Sequence, residues 1–119
     1  MANAFVHMEL NTTDPEKAKE FYGKMFDWQL EDMPMGPSET YTMIKTSEGP
    51  GGGLLKHPMA GAPSMWLVYV GVPDVKEATA KAASLGAQVG KDVTEVPGMG
   101  WFSILLDPTG APFALWQEK

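Results

Sequence analysis

The chain repeats itself at an interval of 60 residues, and that repeat restricts the fold more than any other feature of the sequence. Phe5-Val6-His7-Met8-Glu9-Leu10 aligns with Met65-Trp66-Leu67-Val68-Tyr69-Val70, each an apolar strand. Asp14 aligns with Asp74, Ala18 with Ala78, Tyr41-Thr42-Met43-Ile44 with Trp101-Phe102-Ser103-Ile104, and Gly53-Leu54-Leu55 with Phe113-Ala114-Leu115. One match could be chance. Several in register argue for a duplicated unit, with repeat 1 at about 1–58, repeat 2 at about 63–119 and Pro58 to Pro63 as the join.

Each unit reads as a strand, a helix and three further strands. Asp14 is placed to cap the first helix, with Pro15 at a position where its missing N–H costs nothing. Ala18, Phe21, Tyr22, Met25 and Phe26 then form one apolar stripe at helical spacing, with Lys17, Lys19, Glu20 and Lys24 on the other side. The second helix opens at Asp74, presents Val75, Ala78, Ala82 and Leu85, and stops at Gly86. The remaining segments read as strands: Trp28 to Met33, Tyr41 to Thr46, Gly53 to Lys56, Gln88 to Val96, Trp101 to Leu106 and Phe113 to Gln117. Asp107-Pro108-Thr109-Gly110 predicts a type I turn between the last two. The architecture expected is α+β: two tandem βαβββ modules forming a curved mixed sheet around a cleft.

Period-2 alternation then assigns faces. Val6, Met8 and Leu10 are expected to cover the helix, as are Phe102, Ile104 and Leu106. The opposite face is expected to carry Phe5, His7, Glu9, Tyr41, Met43, Leu67, Tyr69, Trp101, Ser103, Leu105, Ala114 and Trp116. So apolar a second face predicts a lined cavity or a sheet-to-sheet contact.

At 119 residues the chain has room for one domain. Nine Lys and no Arg stand against fifteen Asp and Glu, a net charge of −6, which argues against nucleic acid as a partner. No apolar run suits a membrane helix, and Met1 to Phe5 has neither the basic start nor the apolar core of a signal peptide. The absence of cysteine excludes thiolate catalysis and disulfides, so a cytoplasmic location is expected. Ser64 and Ser103 occupy no nucleophile elbow, and Gly51-Gly52-Gly53 lacks the Lys and helix of a phosphate loop.

Thr12-Thr13-Asp14-Pro15-Glu16-Lys17-Ala18, followed by Phe21-Tyr22 and Phe26-Asp27-Trp28, resembles the vicinal-oxygen-chelate superfamily of glyoxalase I, bleomycin-resistance proteins and extradiol dioxygenases. Val70-Gly71-Val72-Pro73-Asp74, Leu85-Gly86-Ala87 and Asp107-Pro108-Thr109-Gly110-Ala111-Pro112-Phe113 resemble its second repeat. The resemblance spans nearly the whole chain and implies a single glyoxalase-like domain, 1–119. It speaks to fold more than to chemistry.

In metal-dependent members of that family each repeat supplies ligands from its first and last strands. Carried over, those positions are His7, Leu54, Leu67 and Ala114, of which only His7 has a donor atom. Shifting along the strand brings Lys56 and Trp116, also non-ligands, and leaves Glu9 as the nearby carboxylate. The resemblance therefore implies a member with no metal or other cofactor at this register.

His7 and Glu9 are the candidate acid–base residues. The expected ligand contacts are Phe5, His7, Glu9, Tyr41, Met43, Leu54, Leu67, Tyr69, Trp101, Ala114 and Trp116. His57, beside Pro58, is read as a surface residue. Three functions stay open: binding of a small apolar or aromatic molecule, with or without acid–base chemistry at His7; a metal-dependent lyase, isomerase or dioxygenase with non-standard ligands; and a non-catalytic dimerising scaffold. An exposed strand edge and the Trp-bearing face suggest a homodimer.

Overall fold

The computed structural model describes residues 3–35 and 37–119. The chain adopts the α+β class, with elements in the order β1 (Phe5–Thr12), α1 (Pro15–Met25), β2 (Gln29–Pro34), β3 (Thr40–Lys45), β4 (Gly52–Lys56), β5 (Met65–Gly71), α2 (Val75–Ser84), β6 (Gln88–Val96), β7 (Gly100–Leu106) and β8 (Pro112–Glu118). Two compact units result: His7–Leu67, and Val68–Lys119 together with the N-terminal stretch ending at Val6.

In the first unit the strands run β2-β3-β4-β1, with β1 and β4 parallel and the other pairs antiparallel. The Asp14 side chain caps α1 by accepting from the backbone N–H of Lys17, as the sequence predicts. The expected stripe on α1 is only partly used. Ala18 and Tyr22, four residues apart, pack on a core of Leu10, Ile44 and Leu54, joined by Trp28 and Leu30. Phe21 and Met25 stay 58% and 60% exposed, so the stripe is wider than the sheet it covers. Tyr22 instead centres an aromatic cluster, 5.7 Å from the Trp28 ring and 5.6 Å from the Trp66 ring. Trp28 precedes β2 rather than opening it.

Lys19, expected on the solvent side of α1, folds over to Asp32 of β2 at 3.1 Å and to Glu16 at 2.8 Å. Asp32 also accepts from the buried Thr42 hydroxyl at 2.7 Å. These donors hold the Asp32 carboxyl below its ordinary range, the Thr42 hydroxyl contributing most, then Lys19.

The other unit repeats the plan as β5-β8-β7-β6, with β5 and β8 parallel. Asp74 caps α2 by accepting from Glu77 N–H, and Gly86 follows the helix at φ 102°, the left-handed conformation that glycine adopts freely. The core is Val75, Leu105 and Leu115 with Val70, Ala78, Ala82 and Phe113 around it. Leu85, expected on the buried face, is the C-cap and lies exposed. Thr79 takes a buried place instead, donating to Val75 O at 2.6 Å and pairing with the Ser103 hydroxyl at 2.8 Å. In the predicted turn, Asp107 accepts from Thr109 N–H and hydroxyl and from Ala111 N–H.

Candidate functional site

Strand β1 alternates as expected. Leu10 enters the helix-side core, while His7, Glu9 and Asn11 fall on the other face. Tyr41 on β3 reaches them. Its hydroxyl donates to Glu9 Oε2 at 2.9 Å and lies 2.7 Å from His7 Nε2. Asn11 Nδ2 donates to the other Glu9 oxygen, Oε1, at 3.4 Å. Imidazole, phenol, carboxylate and carboxamide thus form one hydrogen-bonded row. Glu9 is 8% exposed and Asn11 7%, so neither is a solvated strand end.

The row depends on a glycine. Gly53 of β4 lies directly opposite Glu9 on one side and Met43 on the other. A Cβ at Gly53 would collide with the Tyr41 hydroxyl and ring, so the phenol crosses the strand through space that any other side chain would fill. Its neighbour Gly52 is needed for a different reason. A Cβ there would strike the Met8 carbonyl oxygen, so the close approach of β1 and β4 requires glycine.

Burial pushes the His7 pKa below its ordinary value of 6.5, because the desolvated ring disfavours the imidazolium. The folded protein therefore binds less proton than the unfolded chain between that lowered pKa and 6.5. Stability is expected to fall as pH drops below 6.5 and to level off below the folded-state pKa. Urea unfolding of wild type and His7→Gln across that range checks this: the His7-dependent loss should be missing in the variant.

Several expected positions move. Leu54, a ligand position implied by the family resemblance, sits in the helix-side core, 1% exposed. Trp101 and Leu105 also belong to the helix side, packed with Val75 and Leu115, and Ser103 there meets Thr79. Phe102 and Ile104, expected toward the helix, pair with Trp116 and Ala114 on the opposite face.

For the second unit the two repeats are out of step by one residue. Glu9 to Tyr69 is a separation of 60, but their parallel partners Gly53 and Ala114 are 61 apart. The second unit carries one extra residue before its last two strands, and one residue inverts every side chain on them.

Tyr41, Met43, Leu67, Tyr69, Ala114 and Trp116 keep their predicted parity, Tyr69 pairing with Ala114 and lying 6.4 Å from the Phe102 ring. Phe5 is exposed. His57 accepts from Met59 N–H through Nδ1 at the end of β4, outside the row. Gly53 and Asn11 were missed by sequence reasoning. The signals were present: Asn11 continues the His7, Glu9 alternation, and the Gly51–Gly53 run marks a strand crossed closely by something else.

A family model described as the Glyoxalase/Bleomycin resistance protein/Dioxygenase superfamily matches residues 4–115. The chain belongs to that superfamily. It is 35% identical over 107 residues to the putative glyoxylase CFP32 of Mycobacterium bovis, an alignment covering 90% of this chain and 41% of that protein. It is 23% identical over 124 residues to the anthracycline biosynthesis protein DnrV of Streptomyces peucetius, covering 92% and 45%. The chain thus spans less than half the length of these curated relatives. Among solved structures, the hypothetical protein BH1468 from Bacillus halodurans superposes with a TM-score of 0.76 at 16% identity, covering 100% of this chain and 96% of that one. Streptomyces coelicolor methylmalonyl-CoA epimerase, in complex with 2-nitronate-propionyl-CoA, gives 0.69 at 18% identity, covering 98% of each. These likenesses establish the fold.

The metal of vicinal-oxygen-chelate proteins does not fit the residues present. Among the described residues no three His, Cys, Asp or Glu side chains gather as a metal-binding group. In the first unit the carboxylate and imidazole hydrogen-bond the Tyr41 hydroxyl, and the β4 position facing them is a glycine filled by that same phenol.

Proposed function

We propose that this chain binds a small apolar or aromatic molecule against the His7–Glu9–Tyr41 face without a catalytic metal. The observation that carries this reading is the Tyr41 hydroxyl, seated over Gly53 and bonded to both His7 and Glu9. A polar row of this kind beside Met43 supplies orientation next to an adaptable apolar surface, the usual composition of a small-molecule site. Superfamily membership supports a ligand-binding role, and the relatives named as a putative glyoxylase and an anthracycline biosynthesis protein support a small organic molecule. His7, neutral because buried, would then act as hydrogen-bond partner or proton acceptor to the ligand.

The test is a thermal-shift and calorimetric screen of aromatic and oxyanion compounds on wild type and His7→Ala, with metal analysis of the purified protein. The expected result is a ligand whose affinity falls at least about tenfold in His7→Ala, equal to about 1.4 kcal/mol, while the unfolding midpoint changes little. Metal content should lie well below one ion per chain. One tightly held divalent ion per site would overturn the reading in favour of metal-dependent chemistry.

A homodimer is part of the same proposal, supported by exposed Phe21 and Met25 on α1, and sedimentation velocity tests it. Among the described residues no helix is long and apolar enough to cross a membrane. A cytoplasmic location is proposed from the cysteine-free sequence.

A further inference from the structure

We propose that His7, Glu9 and Gly53 form a seat that recognises a hydroxylated aromatic ring, and that Tyr41 is its built-in occupant in the free protein. A single hydroxyl stands 2.7 Å from His7 Nε2 and 2.9 Å from Glu9 Oε2, so two polar side chains of β1 converge on one oxygen. A hydroxyl both donates and accepts, so it suits an imidazole and a carboxyl in whichever protonation state each adopts. The ring behind that hydroxyl lies where Gly53 has no Cβ, and the imidazole is within 17° of parallel to it, the ring centroids 6.4 Å apart. Met43 stands directly across from Gly53 on β3 and brings a polarizable thioether next to the glycine.

What the seat holds shows what it selects. The convergent imidazole and carboxyl favour a hydroxylated ring over a bare one, because an analogue without the hydroxyl forfeits both hydrogen bonds. The uncovered backbone of Gly53 favours a flat ring over a saturated one, whose puckered atoms are thicker than the gap a missing Cβ leaves. Tyr41 is tethered to β3, so a phenol from solution meets an occupant already in place. Its apparent affinity for wild type is then reduced by the fraction of molecules whose seat is open.

This deepens the ligand-binding reading, and rests on it for the claim that wild type uses the seat for a ligand. The experiment takes p-cresol, the tyrosine side chain as a separate molecule, with toluene and cyclohexanol as comparators, to wild type and Tyr41→Ala. Calorimetry gives the affinities, the His7 ring resonances in NMR locate the probe, and circular dichroism confirms folding. Tyr41→Val, of higher strand propensity, takes the place of Tyr41→Ala if the alanine variant does not fold. Tyr41→Ala should bind p-cresol at least about tenfold tighter than wild type does, and at least about tenfold tighter than it binds either comparator. Adding Gly53→Ala puts a methyl where the ring lay and should abolish that binding. A comparator bound within about threefold of p-cresol, His7 resonances that p-cresol does not move, or binding that survives Gly53→Ala would overturn the proposal. Selective binding of p-cresol by Tyr41→Ala, combined with no ligand for wild type in the screen, would sink the functional reading and leave the chemistry of the seat standing.

Discussion

Leu54→Ala is expected to lower the unfolding free energy by about 3 kcal/mol, within the roughly 2–5 kcal/mol seen for such truncations in cores. Leu54 is 1% exposed and joins Leu10 and Ile44 beneath Ala18, Tyr22, Trp28 and Leu30. Its Cα stands opposite Leu10 on one side and Thr42 on the other, both central to the sheet, so little backbone movement is open to close the cavity. The truncation should leave the row on the far face intact. Urea unfolding gives the stability change, and the His7 ring resonances in NMR report the row. Displacement of those resonances with a stability change under about 1 kcal/mol would return Leu54 to the ligand face.

That outcome matters because Leu54 marks where the sequence stopped being legible. The duplicated plan, the two caps at Asp14 and Asp74, the stop at Gly86 and the Asp107 turn are local signals, set by residues a few positions apart, and each appears where local chemistry places it. Strand faces are different. They follow from counting by two, so they survive only as long as the count does. In β1 the alternation is written within the strand itself, and His7 and Glu9 were found directly.

In β4 Leu54 entered the ligand set through the family resemblance, and in β7 the alternation was assigned to the wrong face, so Leu54, Trp101, Ser103 and Leu105 all lie on the helix side. Membership of α1's buried stripe failed for a related reason. Helical spacing says which side chains share a face but not how wide a sheet will meet them, so Phe21 and Met25 look identical to Tyr22 in sequence. The Tyr41 bridge was legible least of all, since it joins strands 32 residues apart through the space above a glycine.

The glycine itself offers the decisive measurement. Gly53→Ala should destabilise the protein by about 1–3 kcal/mol, the range for forcing extra atoms into a packed site. The backbone is not the cause, since Gly53 has no positive φ and an extended strand accepts alanine readily. The new methyl meets the Tyr41 hydroxyl and ring, which must swing away from Glu9 and His7 to admit it. Glu9, 8% exposed, then loses its phenol donor, and the longer bond from Asn11 makes up little of that loss.

A double-mutant cycle separates this mechanism from a general intolerance of the strand. With Tyr41→Ala in place the collision partner is gone, and Gly53→Ala should become neutral or stabilising by up to about 1 kcal/mol, through the smaller entropy of the unfolded chain. The coupling between the two positions should therefore reach about 2 kcal/mol, in the range found for residues in contact. Equal costs for Gly53→Ala in both backgrounds would show that Tyr41 does not lie across β4, and the row linking it to His7 and Glu9 would have to be abandoned.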